Sequence, residues 1–226
     1  MDLSGLNKEQ LMAVKHIDGP MLVLAGAGSG KTRVLTNRIA YLIENGVRIE
    51  NILAITFTNK AAKEMKDRVM KLIGMDAKSI QISTFHSLGL RIIKENYARL
   101  GYKSNFVILD SDDTLTVVKK IMKDLNLNPK FYNARDIRNK ISSAKNEMMG
   151  PQEYAKVEFD RNIIAVYESY NNKLLINNSV DFDDLLILPI KLFRMYPDVL
   201  KYYQDKYKYV LIDEYQDTNE AQYIFT

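Results

Sequence analysis

A glycine-rich stretch followed by lysine and threonine is the part of the sequence best suited to chemistry. Residues 25–32 read Ala-Gly-Ala-Gly-Ser-Gly-Lys-Thr, after an apolar run at residues 21–24 and before apolar residues at helical spacing. This order predicts a strand, a tight turn and a helix. Glycines permit positive φ and leave no side chain between the backbone and a ligand, while the N–H groups of the turn and of the helix N-terminus face an anion. The stretch therefore predicts a cradle for phosphate groups.

The candidate residues of this cradle differ in what they contribute. Lys31 is placed to reach the β- and γ-phosphates of a nucleotide, and the Thr32 hydroxyl to hold Mg²⁺. Ala25 stands where the usual pattern has its first glycine. The alternative is an ordinary glycine turn before a helix. The remaining candidates for nucleotide binding are Ala27, Gly28, Ser29 and Gly30.

Two acidic residues, Asp213 and Glu214, follow the apolar run at residues 209–212. In open α/β sheets, ligands bind at the carboxyl ends of the strands. Hydrolysis of a phosphoanhydride needs a metal ion and a positioned water molecule. We predict that Asp213 holds Mg²⁺ and that Glu214 orients or activates the attacking water. The alternative is that the acidic residues cap the next helix, where Asp217 and Glu220 fit a capping box.

The composition predicts a globular chain, most of whose charges solvate helix faces. The 226 residues are 46% hydrophobic and 27% charged, which is enough for a substantial core. The absence of cysteine excludes disulfides and thiolate metal sites, and it fits a reducing cytoplasm. No apolar run approaches transmembrane length, and the first residues lack the pattern of a signal peptide, so no membrane partner is expected. The net charge of +4 mildly favours an anionic partner.

Strands alternate with helical patterns in the first hundred residues. Apolar strands are predicted at residues 21–25, 52–57 and 80–84, each followed by a helical pattern, and a further strand is predicted at residues 209–212. This alternation predicts an α/β fold with a mostly parallel sheet that helices cover on both faces.

A helix start is predicted ahead of the first strand, at residues 6–11. Asn7 is a suitable N-cap, and Gln10, three residues later, completes a capping box.

From residue 104 onward the helical patterns dominate, and Asn-Pro and Gly-Pro pairs interrupt them. We predict that residues 1–103 form the first part of the α/β domain and that residues 104–188 form an inserted, mainly helical subdomain. Residues 189–226 then return to the α/β domain.

Taken in order along the chain, these motifs resemble those of the superfamily 1 DNA helicases of the UvrD, PcrA and Rep type. That family often has alanine at the first position of the glycine-rich stretch, as Ala25 is here. A single glycine-rich loop is unspecific, whereas the ordered set is highly specific. The matching segments are residues 6–14 (Q motif), 25–32 (motif I), 55–65 (motif Ia), 84–87 (motif Ib), 181–186 (a short family segment) and 213–219 (motif II).

The resemblance implies further roles around the nucleotide. Gln10 is implied to contact the adenine, and Arg33 to line the site. Gln216 is implied to act with Lys31 and Glu214 in catalysis, by coupling the nucleotide state to the rest of the site. The alternatives are a capping side chain for Gln10 and solvated surface positions for Arg33 and Gln216.

The resemblance also implies a path for single-stranded DNA along Phe57, Thr58, Asn59 and His86. Hydroxyl, amide and ring groups contact sugar and phosphate, and aromatic faces stack on bases of any sequence. The alternatives are a core position for Phe57, helix caps for Thr58 and Asn59, and a buried histidine for His86.

Three aspartates at positions 181, 183 and 184 have the composition of a metal site. Because no histidine or further acidic residue lies nearby in sequence, we predict that Asp181, Asp183 and Asp184 make structural hydrogen bonds instead.

The resemblance implies that the chain is the first part of a P-loop, RecA-like motor. Such a motor uses ATP and Mg²⁺, moves 3′ to 5′ along single-stranded DNA and unwinds duplex DNA, in this case in the cytoplasm. Its second RecA-like domain follows motif II, so we expect the chain to be truncated there and to be inactive alone. Two alternatives remain: a binding module for nucleotide and single-stranded DNA, and part of a helicase–nuclease subunit.

Overall fold

The computed structural model describes residues 2–26, 28–74 and 79–226. The chain divides into two compact units, and both are discontinuous in sequence. The first, here called the sheet unit, comprises Met1–Phe85 and Asp198–Asp217, and the second, the helical unit, comprises His86–Pro197 and Thr218–Thr226. The domain boundaries near residues 103 and 188 stay a prediction.

The described chain consists of α-helices and a few short strands. The helices are α1 (Lys8–Lys15), α2 (Lys31–Glu44), α3 (Asn59–Ile73), α4 (Phe85–Asn96), α5 (Ser111–Asp124), α6 (Ala134–Asn146), α7 (Pro151–Tyr154), α8 (Arg161–Ile176), α9 (Asp184–Met195), α10 (Pro197–Lys206) and α11 (Glu220–Phe225), and the strands are β1 (Ile52–Thr56), β2 (Gln81–Thr84), β3 (Val107–Ile108), β4 (Ser179–Val180) and β5 (Tyr209–Ile212).

The sheet of the sheet unit is parallel, and its described strands lie in the order β2-β1-β5. The central strand β1 is buried along its whole length, which explains why its sequence is apolar throughout rather than alternating. Ile55 of β1 lies opposite Ser83 of β2 and Ile212 of β5. Leu42 of α2 and Met65 of α3 are fully buried in the same core as β1. The predicted α/β fold, with helices flanking a parallel sheet, is confirmed at this level.

The strand predicted at residues 21–25 was wrong, because these residues have no regular secondary structure. The side chains of Leu22 and Leu24 are 67% and 86% exposed. An apolar run favours burial, but a strand forms only where a neighbouring strand accepts its backbone hydrogen bonds. In the described sheet, β5 is an edge strand that pairs with β1. Residues 21–25 do not pair with either strand of this ladder.

The capping box predicted for the first helix is confirmed. The Asn7 side chain accepts a hydrogen bond of 2.8 Å from the Gln10 backbone N–H, and the Gln10 side chain accepts one of 3.0 Å from the Asn7 backbone N–H. Two of the backbone N–H groups that lack a helical partner at this end of α1 are therefore satisfied.

The alternative capping box at Asp217 and Glu220 was wrong. Helix α11 starts at Glu220, so its N-cap is Asn219, and the box pairs Asn219 with Gln222. Asp217 instead closes a 3₁₀ turn that spans Tyr215–Asp217. The box thus lies two residues later than the sequence pattern suggested.

The helical unit consists mainly of α-helices, with a short parallel pairing of β3 and β4. One of its cores joins α5, α6 and α8 through buried side chains that include Val118, Ile121, Ile137, Ile141, Val166 and Tyr170. Within the described ranges, no helix has both the length and the apolar composition that a membrane crossing needs.

Candidate nucleotide and DNA sites

The glycine-rich turn is an open cradle at the start of α2. Gly28 and Gly30 have φ angles of 74° and 86°, a left-handed conformation that strains any other residue. A Cβ atom on Gly30 would also lie 3.1 Å from the amide nitrogen of Gln10. Within the described chain no side chain caps α2, so its first backbone N–H groups are available as donors to an anion. Ala27, a candidate from the sequence, lies outside the described residues.

Gln10 connects α1 to this turn. Its Nε2 atom donates a hydrogen bond of 2.9 Å to the Ser29 carbonyl, while its oxygen is occupied by the capping box with Asn7. The Ser29 hydroxyl in turn donates to the Gly26 carbonyl at 2.6 Å. Gln10 therefore caps a helix and also lies against the cradle, so the two sequence-based alternatives for this residue are compatible.

The glycine-rich turn and the acidic pair meet in space. The Thr32 side chain lies close enough to the Asp213 carboxylate to oppose the rise in its pKa. The Lys31 ammonium nitrogen lies 3.7 Å from a carboxylate oxygen of Glu214 and 3.3 Å from the Ala25 carbonyl oxygen, to which it donates. Four residues chosen from two segments about 180 positions apart thus form one cluster within the sheet unit.

The end of β5 fixes Asp213 in this cluster. Its backbone N–H donates a 2.9 Å hydrogen bond to the Ile55 carbonyl, which continues the pairing of β5 with β1. Burial and the neighbouring Glu214 carboxylate raise the pKa of Asp213, while Lys31 and the Thr32 hydroxyl oppose this shift. A half-buried carboxylate beside a hydroxyl is an oxygen ligand pair of the kind that Mg²⁺ prefers.

Glu214 has an unusual backbone conformation for a residue other than glycine. Its φ angle is 52°, which costs about 1–3 kcal/mol and occurs most often at functional sites. The Gln216 amide donates to its carboxylate at 2.6 Å, and the Asp217 backbone N–H donates to its carbonyl at 3.0 Å. No pattern in the sequence predicted this conformation.

Arg33 is exposed and extends toward the N-terminal segment. A Cβ atom on Gly5 would lie 2.5 Å from a guanidinium nitrogen of Arg33, so the absent side chain at Gly5 makes room for the guanidinium.

The candidate DNA residues of the sheet unit lie where β1 passes into α3. The Thr58 hydroxyl accepts a 3.1 Å hydrogen bond from the Ala61 backbone N–H, so Thr58 is the N-cap of α3. Thr58 and Asn59 are nevertheless exposed. Phe57 is half-buried, with its ring edge-to-face against Phe85 at a centroid distance of 5.7 Å. The segment thus combines hydroxyl, amide and ring groups at the carboxyl end of a strand.

In the helical unit, His86 belongs to an aromatic pair with Phe182. The ring centroids lie 4.6 Å apart at 33°, and Phe182 is 60% exposed. Burial lowers the pKa of His86 below its usual value of 6.5, despite the opposing effect of Asp183. Sequence reasoning missed Phe182, although a phenylalanine among three aspartates was a signal that its ring stays near the surface.

Comparison with known protein families decides what the chain is related to. The family model of the UvrD/REP helicase N-terminal domain matches residues 6–226. The chain belongs to this family.

Relatives within the UvrD/REP family are much longer than this chain. The ATP-dependent DNA helicase PcrA of Bacillus subtilis (strain 168) is 55% identical over 226 residues, which cover 98% of this chain and 31% of that protein. The PcrA helicases of Staphylococcus aureus (strain Mu50 / ATCC 700699) and Leuconostoc citreum are each 48% identical over 225 residues, covering 98% and 97% of this chain. The chain spans just under a third of the length of these curated relatives, 31%, 31% and 30%.

The acidic segment of this UvrD/REP domain, residues 181–184, surrounds a buried lysine. The Lys145 ammonium group, which sequence reasoning missed, donates to Asp181 at 2.7 Å and to Asp184 at 2.8 Å. The Tyr170 hydroxyl donates to Asp181 at 2.9 Å. The prediction of structural hydrogen bonding is confirmed for these two aspartates, and Asp183 accepts a 2.9 Å hydrogen bond from the Asn146 amide.

Stability of the chain should fall, relative to a His86→Phe variant, as the pH drops from about 7.5 to about 5.5. Burial holds the pKa of His86 below its unfolded value, so the unfolded chain takes up the proton first and unfolding becomes easier. Phenylalanine keeps a ring against Phe182 but does not titrate. Urea unfolding midpoints of both proteins at each pH measure the effect. A difference in midpoint that stays constant over this range would contradict the lowered pKa of the half-buried His86.

Proposed function

We propose that the chain is the N-terminal part of an ATP-dependent DNA helicase and carries the first half of its nucleotide site. The observation behind this proposal is the cluster in which the Thr32 hydroxyl meets the Asp213 carboxylate and Lys31 lies 3.7 Å from Glu214. Membership of the UvrD/REP family and the similarity to PcrA helicases support it. The fold that we infer for the sheet unit is of the RecA-like P-loop type.

The cradle fits the phosphates of ATP. Gly28 and Gly30 keep the turn free of side chains, the start of α2 presents backbone N–H groups, and Lys31 supplies a positive charge. Thr32 and Asp213 would hold Mg²⁺, which when bound neutralises charge that develops on the phosphates. Gln10 and Arg33 border the same turn and its helix, where the base would lie.

Glu214 is the group that we propose as the acceptor of a proton from the attacking water. The Gln216 amide fixes the orientation of its carboxylate, and Lys31 keeps it close to the cradle. A carboxylate held beside the cradle can act as a general base toward a water molecule there. Gln216 thus acts on the reaction through Glu214.

Each unit carries one candidate surface for single-stranded DNA. In the sheet unit this surface is formed by Phe57, Thr58 and Asn59, and in the helical unit by the aromatic pair His86 and Phe182. Exposed rings stack on bases without regard to sequence. We propose that ATP-dependent changes in the grip on these surfaces drive movement 3′ to 5′ on single-stranded DNA and separation of the duplex.

We further propose that the 226 residues bind nucleotide and single-stranded DNA but do not turn ATP over alone. The chain spans 31% of the B. subtilis relative, and a second RecA-like domain with arginine fingers would contribute roughly 10³–10⁵ in rate. An ATPase assay on the isolated chain and on the complete protein, with and without single-stranded DNA, tests both proposals. DNA-stimulated turnover by the isolated chain would overturn the second one, and its absence from the complete protein would overturn the first.

Replacement of Lys31 by alanine should weaken ATP binding by about 1.5–3 kcal/mol, or roughly 10- to 150-fold in the dissociation constant, since hydrogen bonds to charged groups contribute about this much. Titration of a fluorescent ATP analogue measures the change. Lys15→Ala is the matched control, because Lys15 is an exposed lysine at the other end of α1 from Gln10. Equal dissociation constants for wild type and Lys31→Ala would remove Lys31 from the cradle.

A further inference from the structure

A line of amide hydrogen bonds runs through the helical unit from the start of α11 to the aromatic pair. The Asn219 Nδ2 atom donates to Asn146 Oδ1 at 2.8 Å, and the Asn146 Nδ2 atom donates to Asp183 Oδ1 at 2.9 Å. Asp183 directly follows Phe182, whose ring lies 4.6 Å from that of His86. All of these residues belong to the helical unit.

Each amide in this line has its orientation fixed by a second partner. The Asn219 side-chain oxygen accepts from the Gln222 backbone N–H at 2.9 Å, as the N-cap of α11. The Asn146 Nδ2 atom also donates to the Ser142 carbonyl at 2.9 Å. Rotating either amide by 180° would place donor against donor, so the direction of the line is determined.

The Asn219 end of this line is close in sequence to the proposed catalytic residues. Asn219 follows Asp217 by two residues, and Asp217 closes the turn that contains Gln216, with its backbone N–H on the Glu214 carbonyl. The C-terminal end of α11 is held on α9, since Phe225 stacks on Phe193 at a centroid distance of 6.2 Å. A displacement of the Glu214–Gln216 turn therefore reaches Asn219 through the chain itself.

We propose that Asn146 and Asn219 are positioning residues that couple the turn after Asp213 to the aromatic pair His86 and Phe182. A change at Glu214 and Gln216 on nucleotide binding alters the Asn219–Asn146 hydrogen bond. Asn146 passes the change to Asp183 and so to the neighbouring Phe182 ring. The coupling rests on the proposed function, because it assumes that Glu214 responds to ATP and that Phe182 contacts single-stranded DNA.

The nucleotide dependence of DNA binding by the complete protein tests this coupling. The dissociation constant for an oligonucleotide that contains 2-aminopurine, a base whose fluorescence reports stacking, is measured with and without a non-hydrolysable ATP analogue. In the wild type the two constants should differ. In Asn146→Ala the ratio of the two dissociation constants should be closer to one than in the wild type. The expected change in this ratio is roughly 2- to 30-fold, as for a residue within a coupling network. Loss of stability alone would not change this ratio.

Two further variants keep the test decisive. Asn219→Asp retains the oxygen that caps α11 but loses the donor to Asn146. It should therefore fold, and it should move the ratio of dissociation constants toward one as Asn146→Ala does. Asn139→Ala is the control, because Asn139 is exposed on the same helix α6 and accepts only from Arg138 within the described chain. It should leave the ratio unchanged.

The outcomes separate the coupling from the function on which it rests. Phe182→Ala should weaken DNA binding with and without the analogue. If it does so while Asn146→Ala and Asn219→Asp keep the wild-type ratio, the coupling is overturned and the DNA contact stands. If Phe182→Ala binds DNA as the wild type does, or if the wild-type ratio is one, the DNA contact or its nucleotide dependence fails and the coupling fails with it.

Discussion

Replacement of Glu214 by glutamine in the complete protein should lower the rate of ATP hydrolysis by about 10²–10⁴-fold, which is the usual contribution of a general base. Glutamine has almost the same shape, and its amide oxygen still accepts from the Gln216 amide, which lies 2.6 Å from the Glu214 carboxylate. It cannot accept a proton from water. ATP binding should persist, because the cradle at Gly28 and Gly30 is untouched.

Two measurements separate these effects. Single-turnover hydrolysis gives the chemical rate, and titration of a fluorescent ATP analogue gives the dissociation constant. Glu64→Gln is the control, since Glu64 is an exposed glutamate on α3. Hydrolysis at the wild-type rate in Glu214→Gln would remove Glu214 from the mechanism, whereas a lost affinity for ATP would reassign it to nucleotide binding.

The backbone of Glu214 adds an argument for its role. A φ angle of 52° is unfavourable for a glutamate, yet the hydrogen bonds around the turn hold it there. Its backbone N–H donates to the Asp213 carboxylate at 3.1 Å, so the conformation brings both carboxylates to the end of β5. A glycine at this position would relax the backbone but lose the proton acceptor.

The meeting of Thr32 with Asp213 could be anticipated from the sequence. Glycines at fixed positions predicted the turn, and an apolar strand that ends in two carboxylates predicted where those carboxylates lie. Local patterns also predicted the cap at Asn7, because that interaction spans three residues. In each case the decisive physics is local or follows from the general arrangement of parallel sheets.

The errors and omissions have a different origin. Residues 21–25 are apolar, but whether they pair depends on a neighbouring strand that their own sequence does not specify. Lys145 meets Asp181 across 36 positions, and Asn219 meets Asn146 across 73. Nothing in the spacing distinguishes Lys145 from the other lysines of the helical unit, so its partners emerge only from the packing of α6 against α9.

Replacement of Lys145 by methionine should lower the free energy of unfolding of the helical unit by about 3–5 kcal/mol, the usual cost of leaving a buried charge without its partner. Methionine preserves most of the side-chain volume, so the effect is mainly electrostatic. Burial alone would lower the pKa of Lys145, but Asp184 and Asp181 raise it, and the lysine stays charged at neutral pH. Without it, two buried carboxylates face each other with the Tyr170 hydroxyl as a donor to Asp181.

The pH dependence of this loss distinguishes charge from packing. Burial raises the pKa of Asp184 to about 6 even with Lys145 present, and removing the lysine raises the carboxyl pKa values further. The folded variant then binds more protons than the unfolded chain, so its stability should fall as the pH rises from about 5 to about 8. Urea unfolding followed by circular dichroism at each pH measures this slope.

A matched substitution on the same helix isolates the buried charge. Lys140 pairs with Glu158 at 2.7 Å on the surface of α6, so Lys140→Met should cost no more than about 1 kcal/mol. Adding Asp181→Asn and Asp184→Asn to Lys145→Met should recover stability, because no uncompensated charge then remains. Equal losses for Lys140→Met and Lys145→Met, or a triple variant less stable than Lys145→Met, would mean that shape rather than charge at Lys145 holds the acidic segment in place.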